Sequence, residues 1–179
     1  MNMILRALKY YFAKRNTTAA TTPPPDTTPT NSVNWQDYMG KWYELARYET
    51  PFEYGMDNVY TEYGMSENGE VSVTNYGTDS NGKQYVAHAV AKTDGRGQLR
   101  VSFIPLLRFL STPYRVLFVE QNYSHALVSN ENGTCLWMLS RTPDGTEEGI
   151  NRLFREAERR HFNTQNLRKT SQESTDLSR

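Results

Sequence analysis

Regularly spaced turn dipeptides constrain the fold of this chain more than any other feature of its sequence. They are Asn68-Gly69, Asn81-Gly82, Asp94-Gly95 and Asn132-Gly133, and the first three recur every 13 residues. Such dipeptides accept the positive φ of two-residue hairpin loops. The segments between them alternate apolar and polar residues, as in Leu99, Val101 and Phe103. A period of two over many short segments predicts a meandering antiparallel sheet.

Eight strands are predicted, at residues 41–50, 58–66, 70–79, 83–93, 98–104, 114–121, 124–130 and 134–141. Eight antiparallel strands joined in succession can close into an up-and-down barrel, which removes both sheet edges and leaves room for a small ligand. The predicted fold class is therefore all-β, an eight-stranded antiparallel barrel.

A C-terminal α-helix is predicted after Pro143, packed on the outside of the barrel. Asp144 and Glu147 have the spacing of a capping box. The apolar face of the helix comprises Ile150, Leu153, Phe154, Ala157 and Phe162, and its basic face comprises Arg152, Arg155, Arg159 and Arg160. We expect the basic face to be solvated.

The two ends of the chain are expected to lie outside the barrel domain, which is predicted to span residues 33–170. Residues 1–15 carry four basic side chains and no acidic one, and their apolar residues Ile4, Leu5, Leu8, Tyr11 and Phe12 have the spacing of one face of an amphipathic helix. Charges interrupt every apolar run before the roughly 7 to 15 residues that a signal peptide needs. An atypical targeting peptide, a membrane-surface anchor and a tail without function remain open. Residues 17–30 read as a Thr/Pro-rich linker, and residues 171–179 as a disordered tail.

Composition excludes several classes of function. The formal net charge is zero, which gives no electrostatic argument for nucleic acid. No segment approaches the roughly 20 apolar residues of a membrane-spanning helix. The single cysteine, Cys135, permits no intrachain disulfide, and the three histidines have no ligand spacing, so neither a metal nor a cofactor is predicted.

Strand parity brings the first and last strands together at one end of the barrel. Trp42 and Arg141 should meet there, with the guanidinium on the indole face and Gly40 beside them. These residues are predicted to close the barrel structurally and to have no catalytic role.

The opposite end should be the open mouth, with two long apolar loops at its rim. The predicted portal residues are Phe52, Tyr54, Met56, Leu106, Leu107, Phe109 and Leu110. Exposed apolar loops are typical of a binding rim, a dimer contact or a membrane-docking surface. A homodimer and a membrane contact both remain open as partners.

Three segments resemble the conserved regions of the lipocalin family, in the same order. The first runs through Gly40-Lys41-Trp42-Tyr43-Glu44, Ala46-Arg47-Tyr48 and Phe52-Glu53; the second is His125-Ala126-Leu127-Val128; the third is Leu136-Trp137-Met138-Leu139-Ser140-Arg141-Thr142-Pro143. The sequences of these segments are most similar to the bacterial branch of outer-membrane lipoproteins, which is related to apolipoprotein D. The resemblance covers about residues 34–163.

The resemblance implies a barrel that binds, stores or transports a fatty acid or lysophospholipid, in a role such as membrane maintenance, without being an enzyme. It also implies the cell envelope, either the periplasm or the outer membrane. The chain departs from the branch in one respect: a lipoprotein anchor needs a cysteine near the amino terminus, and the only cysteine is Cys135.

Strand parity predicts which residues line the cavity. They are Glu44, Ala46, Tyr48, Ala89, Val101, Phe103, Tyr114, Val116 and Phe118. A one-residue error in any strand would turn its set to the other face.

Two alternatives to a carrier remain open. One is a cavity-based isomerase that uses Cys135, because a thiol can act as a nucleophile. The other is a ligand-free interaction protein that docks on a membrane through its basic helix or its N-terminal segment.

Overall fold

The computed structural model describes residues 23–31, 33–51, 53–94, 96–102 and 112–173. Its first eight strands are β1 (Gly40–Tyr48), β2 (Asp57–Met65), β3 (Glu70–Thr78), β4 (Gln84–Thr93), β5 (Gln98–Ser102), β6 (Thr112–Val119), β7 (His125–Asn130) and β8 (Leu136–Ser140). A short helix, α1 (Trp35–Tyr38), precedes them. Helix α2 (Glu147–Arg159), a 3-10 turn (Thr164–Asn166) and a ninth strand, β9 (Leu167–Lys169), follow them. Every bound of β1 to β8 lies within two residues of the predicted one.

The sheet closes on itself because β1 pairs with two partners. Each of β2 to β8 is antiparallel to its neighbour along the chain, while β1 pairs with β2 over Gly40–Tyr43 and with β8 from Tyr43 to Arg47. The prediction of an eight-stranded antiparallel barrel with a C-terminal helix is confirmed. The ninth strand was not predicted, since three residues of mixed polarity carry no periodic signal.

Gly69 and Gly82 occupy three-residue loops, so the prediction of two-residue loops was wrong at these turns. Ser66 donates its backbone N–H to the carbonyl of Glu70 at 2.9 Å, and Asp79 does the same to Lys83 at 2.9 Å. Only the glycine of each loop has positive φ, 75° at Gly69 and 77° at Gly82. A type I turn followed by a left-handed glycine produces this loop. Gly95 lies outside the described residues.

Three strand pairs of the described sheet contain a register shift, one of them β2 with β3 between Asp57 and Tyr60, and the other two reverse the parity of strands with predicted cavity residues. The register of β1 against β8 shifts between Glu44 and Ala46, and that of β6 against β7 shifts between Val116 and Phe118. A bulge adds one residue to one strand, so the side chains beyond it point to the opposite face.

Helix α2 packs on the outside of the barrel through the predicted apolar face. Leu153, Ala157 and Phe162 are buried against Leu127 and Met138 of the wall. The N-cap is Thr146, whose hydroxyl accepts the N–H of Gly149 at 3.1 Å. The predicted capping box of Asp144 and Glu147 is therefore wrong, because the chain enters the helix two residues later than that pair requires.

A buried histidine fixes the start of α2 to the barrel. His125 is 2% exposed, and its Nε2 accepts the backbone N–H of Thr146 at 3.1 Å. That contact leaves Nδ1 to donate to Glu120 at 2.9 Å. Burial alone would raise the pKa of Glu120, but hydrogen bonds from Ser124 and His125 outweigh it and the pKa is lowered. A Cβ on Gly149 would come within 2.2 Å of the imidazole, so only glycine fits above the ring.

Residues 23–31 lie along the barrel wall, and we call them the N-terminal strap. Thr30 donates its N–H to the carbonyl of Val116 at 2.8 Å, and Thr27 donates its hydroxyl to the carbonyl of Glu131 at 2.8 Å. Pro25 packs beside Gly133. The part of the predicted Thr/Pro-rich linker that the structure describes is thus bound to the barrel, because β6 has carbonyls beyond its pairing with β5 that need donors.

Arg160 joins the strap, α2 and β6 through one guanidinium. Its Nη1 donates to the carbonyl of Thr28 at 2.8 Å, its Nη2 to that of Leu117 at 2.8 Å and its Nε to Glu156 at 2.8 Å. The residue is 7% exposed. Its predicted place on a solvated face was wrong, because the helix ends at this residue and the side chain turns towards the wall.

Residues 167–173, which we call the C-terminal tail, complete the wall where β1 and β2 separate. Strand β9 pairs with Ala46–Tyr48 of β1. Gln172 then donates its amide to the carbonyls of both Glu44 and Val59 at 2.8 Å. Ser171 accepts the N–H of Asn58 at 2.8 Å. Residues 171–173 of the predicted tail are thus hydrogen-bonded to β1 and β2, and residues 174–179 lie outside the described part.

Over the described ranges, no helix combines the length and the apolar character that crossing a bilayer requires.

Candidate functional site

The barrel interior is the candidate site, and its closed end is formed by Trp42, Arg141 and α1. The guanidinium carbon of Arg141 lies 3.9 Å from the centre of the Trp42 ring, so the predicted contact is present. Arg141 also donates to the carbonyls of Lys41 at 2.9 Å and Asp37 at 2.7 Å. Gly40, with φ of 92°, passes beneath the guanidinium. Trp42 is fully buried, so this end is closed by packing and hydrogen bonds together.

Three tyrosines lie above this closure. Tyr38 packs on the Trp42 ring with a centroid separation of 5.0 Å and faces Tyr63 edge-on at 5.6 Å. Tyr63 donates its hydroxyl to that of Tyr114 at 3.0 Å. Burial raises the pKa of Tyr63 to about 12 and the pKa values of Tyr38 and Tyr114 well above the usual range. All three side chains are neutral phenols at physiological pH.

The wall nearer the mouth carries polar groups that sequence reasoning missed. Thr61 donates its hydroxyl to Asn75 at 2.7 Å between neighbouring strands. Trp137 is partly buried, with its ring 6.0 Å from that of Tyr114. These residues share the inward parity of Val73 and Leu139, and that parity was the signal by which they could have been found.

A charged cluster occupies the interior where the C-terminal tail crosses β1. The Arg47 side chain is fully buried and is bonded to Glu44 at 2.5 Å and Glu49 at 2.9 Å. It also donates to Thr170 at 3.2 Å and to the carbonyl of Glu53 at 2.6 Å. Its Nε has no hydrogen-bond partner among the described residues. Arg47 therefore holds the first mouth loop and the tail to β1.

The Glu53 carboxyl is the most perturbed acid of this cluster. Its Oε2 accepts the indole N–H of Trp137 at 3.2 Å. Burial and the nearby Glu44 raise the pKa of Glu53 to about 8, against the opposing effect of Arg47. Glu53 is therefore mostly protonated at neutral pH, and the cluster carries less negative charge than its count of carboxyls suggests.

The two bulges explain which cavity predictions were wrong. Ala46, Tyr48 and Phe118 belong to the apolar cluster beneath α2, on the outside of the wall. They follow the bulges, and Arg47 takes the inward position instead. Of the other predicted residues, Ala89, Val101, Val116, Tyr114 and Glu44 lie inside, and Phe103 lies outside the described residues.

The described part of the mouth contains two of the predicted portal residues. Tyr54 is 78% exposed in the loop between β1 and β2. Met56 packs against Gly77, where a Cβ would come within 3.2 Å of its sulfur, so it belongs to the wall more than to the rim. The remaining portal residues, Phe52, Leu106, Leu107, Phe109 and Leu110, lie outside the described residues.

The other side chains that could act in catalysis or bind a metal do not lie close to one another. Cys135 is buried. His88 is exposed and bonded to Thr74 at 3.2 Å, while His125 serves the helix. Within the described residues no three His, Cys, Asp or Glu side chains are placed to hold a metal ion. A shallow depression at the start of α2, lined by Glu147, Asn151 and Arg155, is open to solvent and remote from the interior.

Comparison with known proteins matches the family described as "Lipocalin-like domain" over residues 33–172. The chain is 33% identical over 147 residues to the Outer membrane lipoprotein Blc of Vibrio cholerae, covering 78% of this chain and 82% of that protein. It is 33% identical over 153 residues to Temperature-induced lipocalin-1 of Arabidopsis thaliana, covering 80% of this chain and 81% of that protein.

Two solved structures that share the fold come from animals. Lobster apocrustacyanin A1 superposes with a TM-score of 0.67 at 15% identity, over 88% of this chain and 94% of that one. Insecticyanin from the tobacco hornworm Manduca sexta superposes with a TM-score of 0.65 at 16% identity, over 87% and 89%. At this level of identity the likeness establishes the fold alone.

Proposed function

Because the chain belongs to the lipocalin-like family, we propose that its barrel binds a small hydrophobic molecule and stores or carries it. The observation that carries this proposal is an interior walled by apolar and aromatic side chains, closed at one end by Trp42 and Arg141. Such concave, mostly apolar sites with a few polar groups are the usual form of small-molecule pockets.

We propose a fatty acid or a lysophospholipid as the ligand. Burying an acyl chain contributes about 0.8 kcal/mol per methylene, or roughly 10 kcal/mol for a dozen carbons, before association and chain-ordering costs of several kcal/mol. A micromolar dissociation constant, near 8 kcal/mol, is compatible with that balance. The apolar and aromatic lining of the interior supports a lipid over a polar metabolite.

Two adjacent residues of β4 offer a matched test. Ala87 faces the interior together with Ala89, whereas Val86 is 51% exposed on the outer face. Ala87→Phe should lower the affinity for dodecanoic acid at least about tenfold by occupying the cavity, since one misfitting ring forfeits about 1.4 kcal/mol or more. Val86→Phe should leave the affinity unchanged.

Binding would be followed by tryptophan fluorescence, with circular dichroism to check the fold of both variants. Trp137 is the interior reporter, so Trp137→Phe should remove most of the ligand-induced change. Native mass spectrometry of protein purified from its own host would identify the bound lipid. The carrier proposal fails if that protein is empty and the fluorescence does not respond to fatty acids or lysophospholipids.

Catalysis by Cys135 is the alternative that the same preparation can test. The thiol is buried directly before β8, where the hydroxyl of Ser129 donates to the Cys135 carbonyl at 2.7 Å. Cys135→Ser should bind ligand as tightly as the unmodified protein. If Cys135→Ser still binds the ligand but no longer converts it to an isomer, the protein is instead an enzyme.

The direction of the N-terminal strap favours a membrane contact at the mouth as a second function. Thr30 lies beside Gly97 at the closed end, and Pro25 lies beside Gly133 at the mouth. The described part of the strap therefore begins on the mouth side, where Tyr54 is exposed. Basic segments are attracted to anionic lipid surfaces by about 1 kcal/mol per charge.

Vesicle co-sedimentation tests this contact. Changing Arg6, Lys9, Lys14 and Arg15 to Gln should reduce binding to phosphatidylglycerol vesicles. Changing the exposed Lys92, Arg96, Arg100 and Arg155 to Gln alters the net charge equally but at other places, and should leave binding intact. Equal losses in both variants would show that net charge alone drives the association.

A further inference from the structure

The barrel wall has a gap on one side, where β1 and β2 separate. The two strands stop pairing after Tyr43 of β1 and Tyr60 of β2. Directly beyond that pair, β1 shifts its register against β8 between Glu44 and Ala46. On the facing strand, β2 shifts its register against β3 between Asp57 and Tyr60. Because a bulge bends the strand that carries it, the separation of the two strands is built into their backbones.

Residues 170–173, which we call the closing segment, fill this gap mainly through hydrogen bonds. Gln172 donates its side-chain amide to one carbonyl on each strand, that of Glu44 on β1 and that of Val59 on β2, both at 2.8 Å. The segment reads Thr-Ser-Gln-Glu, so it adds no large apolar side chain to the wall. By contrast, Leu167 in β9 packs in the apolar cluster beneath α2. A region with few buried apolar contacts opens at a lower free energy than the core around it.

A buried ion pair lies behind the closing segment. Arg47 and Glu44 are bonded at 2.5 Å, with side chains 0% and 3% exposed. The hydroxyl of Thr170 lies between them, donating to Glu44 and accepting from Arg47 at 3.2 Å. Apolar residues in such a place often stabilise a protein as well as an ion pair does or better. The presence of this pair in an apolar barrel therefore needs an explanation other than stability.

The ion pair keeps its partners when the closing segment moves away. Arg47 is also bonded to Glu49 at 2.9 Å and to the carbonyl of Glu53 at 2.6 Å, and neither residue belongs to the segment. Opening would remove one hydroxyl from the pair and leave neither charge unpaired, whereas apolar side chains in the same place would become exposed to water. The pair would also give the opening a polar edge, past which the polar group of a ligand can move.

We infer that residues 170–173 form a side gate of the barrel, through which the ligand enters and leaves between β1 and β2. The gate hinges after Lys169, because β9 stays paired with β1 and Arg168 stays bonded to Asp57 at 3.0 Å. With the gate open, the mouth extends down the wall to the pair of Tyr43 and Tyr60, and an acyl chain can enter sideways. This inference rests on the proposed function and adds the route by which the ligand reaches the same site.

A reversible cross-link tests the gate. The Asn58 side chain accepts the backbone N–H of Glu173 at 2.6 Å, so Asn58→Cys combined with Glu173→Cys places two thiols across the gap. Stopped-flow tryptophan fluorescence with dodecanoic acid would measure association and dissociation rate constants of the full-length protein, in a Cys135→Ser background. The disulfide form should show both rate constants lowered about tenfold or more, with an unchanged dissociation constant.

Two controls accompany the cross-link. Reduction of the same protein with dithiothreitol should restore both rate constants, which separates closure of the gate from any effect of the substitutions themselves. A second disulfide, from Thr74→Cys with His88→Cys, joins residues that already face each other in β3 and β4. It should leave both rate constants unchanged.

Loosening the closing segment should have the opposite effect. Gln172→Met keeps the length of the side chain but loses both hydrogen bonds, which should populate the open gate about fivefold more or higher. Both rate constants should rise by that factor, while the dissociation constant stays within about twofold because the closed gate still predominates. Gln165→Met is the matched control, because Gln165 is exposed in the 3-10 turn, and it should change neither rate constant.

Each other outcome is decisive. Equal rate constants in the disulfide and reduced forms would show that the ligand passes through the mouth alone, and the inference would be overturned. Unchanged rate constants in Gln172→Met would overturn it independently of the cross-link. A disulfide that alters the dissociation constant without slowing both steps would show that the segment acts on the bound state, which also contradicts a gate. Failure of the unmodified protein to bind dodecanoic acid or lauroyl lysophosphatidylcholine would instead refute the proposed carrier function.

Discussion

Replacing Arg160 by methionine should destabilise the protein far more than the position of this residue at a helix end suggests. Methionine retains the apolar stem but removes the donors to Thr28, Leu117 and Glu156. The Leu117 carbonyl loses a buried partner, which costs about 1 to 3 kcal/mol, and the other charge-assisted bonds add about 1 kcal/mol or more each. We expect a loss of about 3 to 5 kcal/mol in the free energy of unfolding, in the range for breaking a buried ion pair.

Urea denaturation at neutral pH measures this loss directly, and a thermal scan should show a fall of roughly 6 to 20 °C. Arg159→Met is the matched control, because Arg159 also bonds to Glu156 but its side chain is 63% exposed. Its unfolding midpoint should not differ measurably from that of the unmodified protein. Hydrogen exchange adds a local readout, since the amides of Asp26 and Thr30 should lose protection in Arg160→Met and keep it in Arg159→Met.

The reasoning is refuted if the two variants are equally stable. It is also refuted if Arg160→Met unfolds early while the strap amides remain protected. In that case the guanidinium would stabilise the helix end alone, and the strap would be held by its own hydrogen bonds to Val116 and Glu131.

Three further predictions concern stability. Trp42→Ala and Arg141→Ala should each lower the free energy of unfolding by about 1 to 4 kcal/mol in urea titrations, with ligand binding retained once the variants are folded. Gly149→Ala should cost about 2 to 4 kcal/mol because its Cβ would overlap the His125 ring, and the cost should shrink when His125→Ala is added in a double-mutant cycle. Because the pKa of Glu53 is raised to about 8 in the folded protein, stability should be fully present below pH 4.5 and should fall by on the order of 2 to 4 kcal/mol as the pH rises through 8. Glu53→Gln should abolish this slope in denaturation curves recorded from pH 5 to 9, and an unchanged slope would show that another group is responsible.

The strand order of the barrel was predictable from sequence because it depends on local signals. Turn glycines and alternating segments recur at regular intervals, and the Trp42 to Arg141 contact follows from counting an even number of strands. Neither the strand order nor this contact requires the exact strand ends to be known. Errors of one or two residues at those ends therefore did not affect either prediction.

The lining of the cavity was not predictable in the same way, because the inward-facing and outward-facing positions of a strand exchange at each bulge. The bulges beyond Glu44 and Val116 leave no mark in the sequence: Leu45 and Leu117 read as ordinary members of an alternating strand. As a result Ala46, Tyr48 and Phe118 were assigned to the wrong face, and Arg47, the most connected buried charge of the interior, was overlooked.

The roles of the two chain ends depended on long-range hydrogen bonds, which composition cannot reveal. A Thr/Pro-rich segment is typical of a linker, yet in this chain its backbone pairs with free carbonyls of β6. The C-terminal tail carries no apolar pattern because it is held by side-chain amides and hydroxyls, such as those of Gln172 and Thr170.

The C-terminal tail also fixes the order of events during synthesis. The hydroxyl of Thr170 bonds to Arg47, a residue 123 positions earlier in the chain. Until the ribosome has released that part of the chain, β1 and β2 remain separated above Tyr43, and their unpaired edges are open to association with other chains. Completion of the wall therefore depends on the C-terminal tail, and we expect nascent chains arrested before residue 167 to be the species most in need of a chaperone.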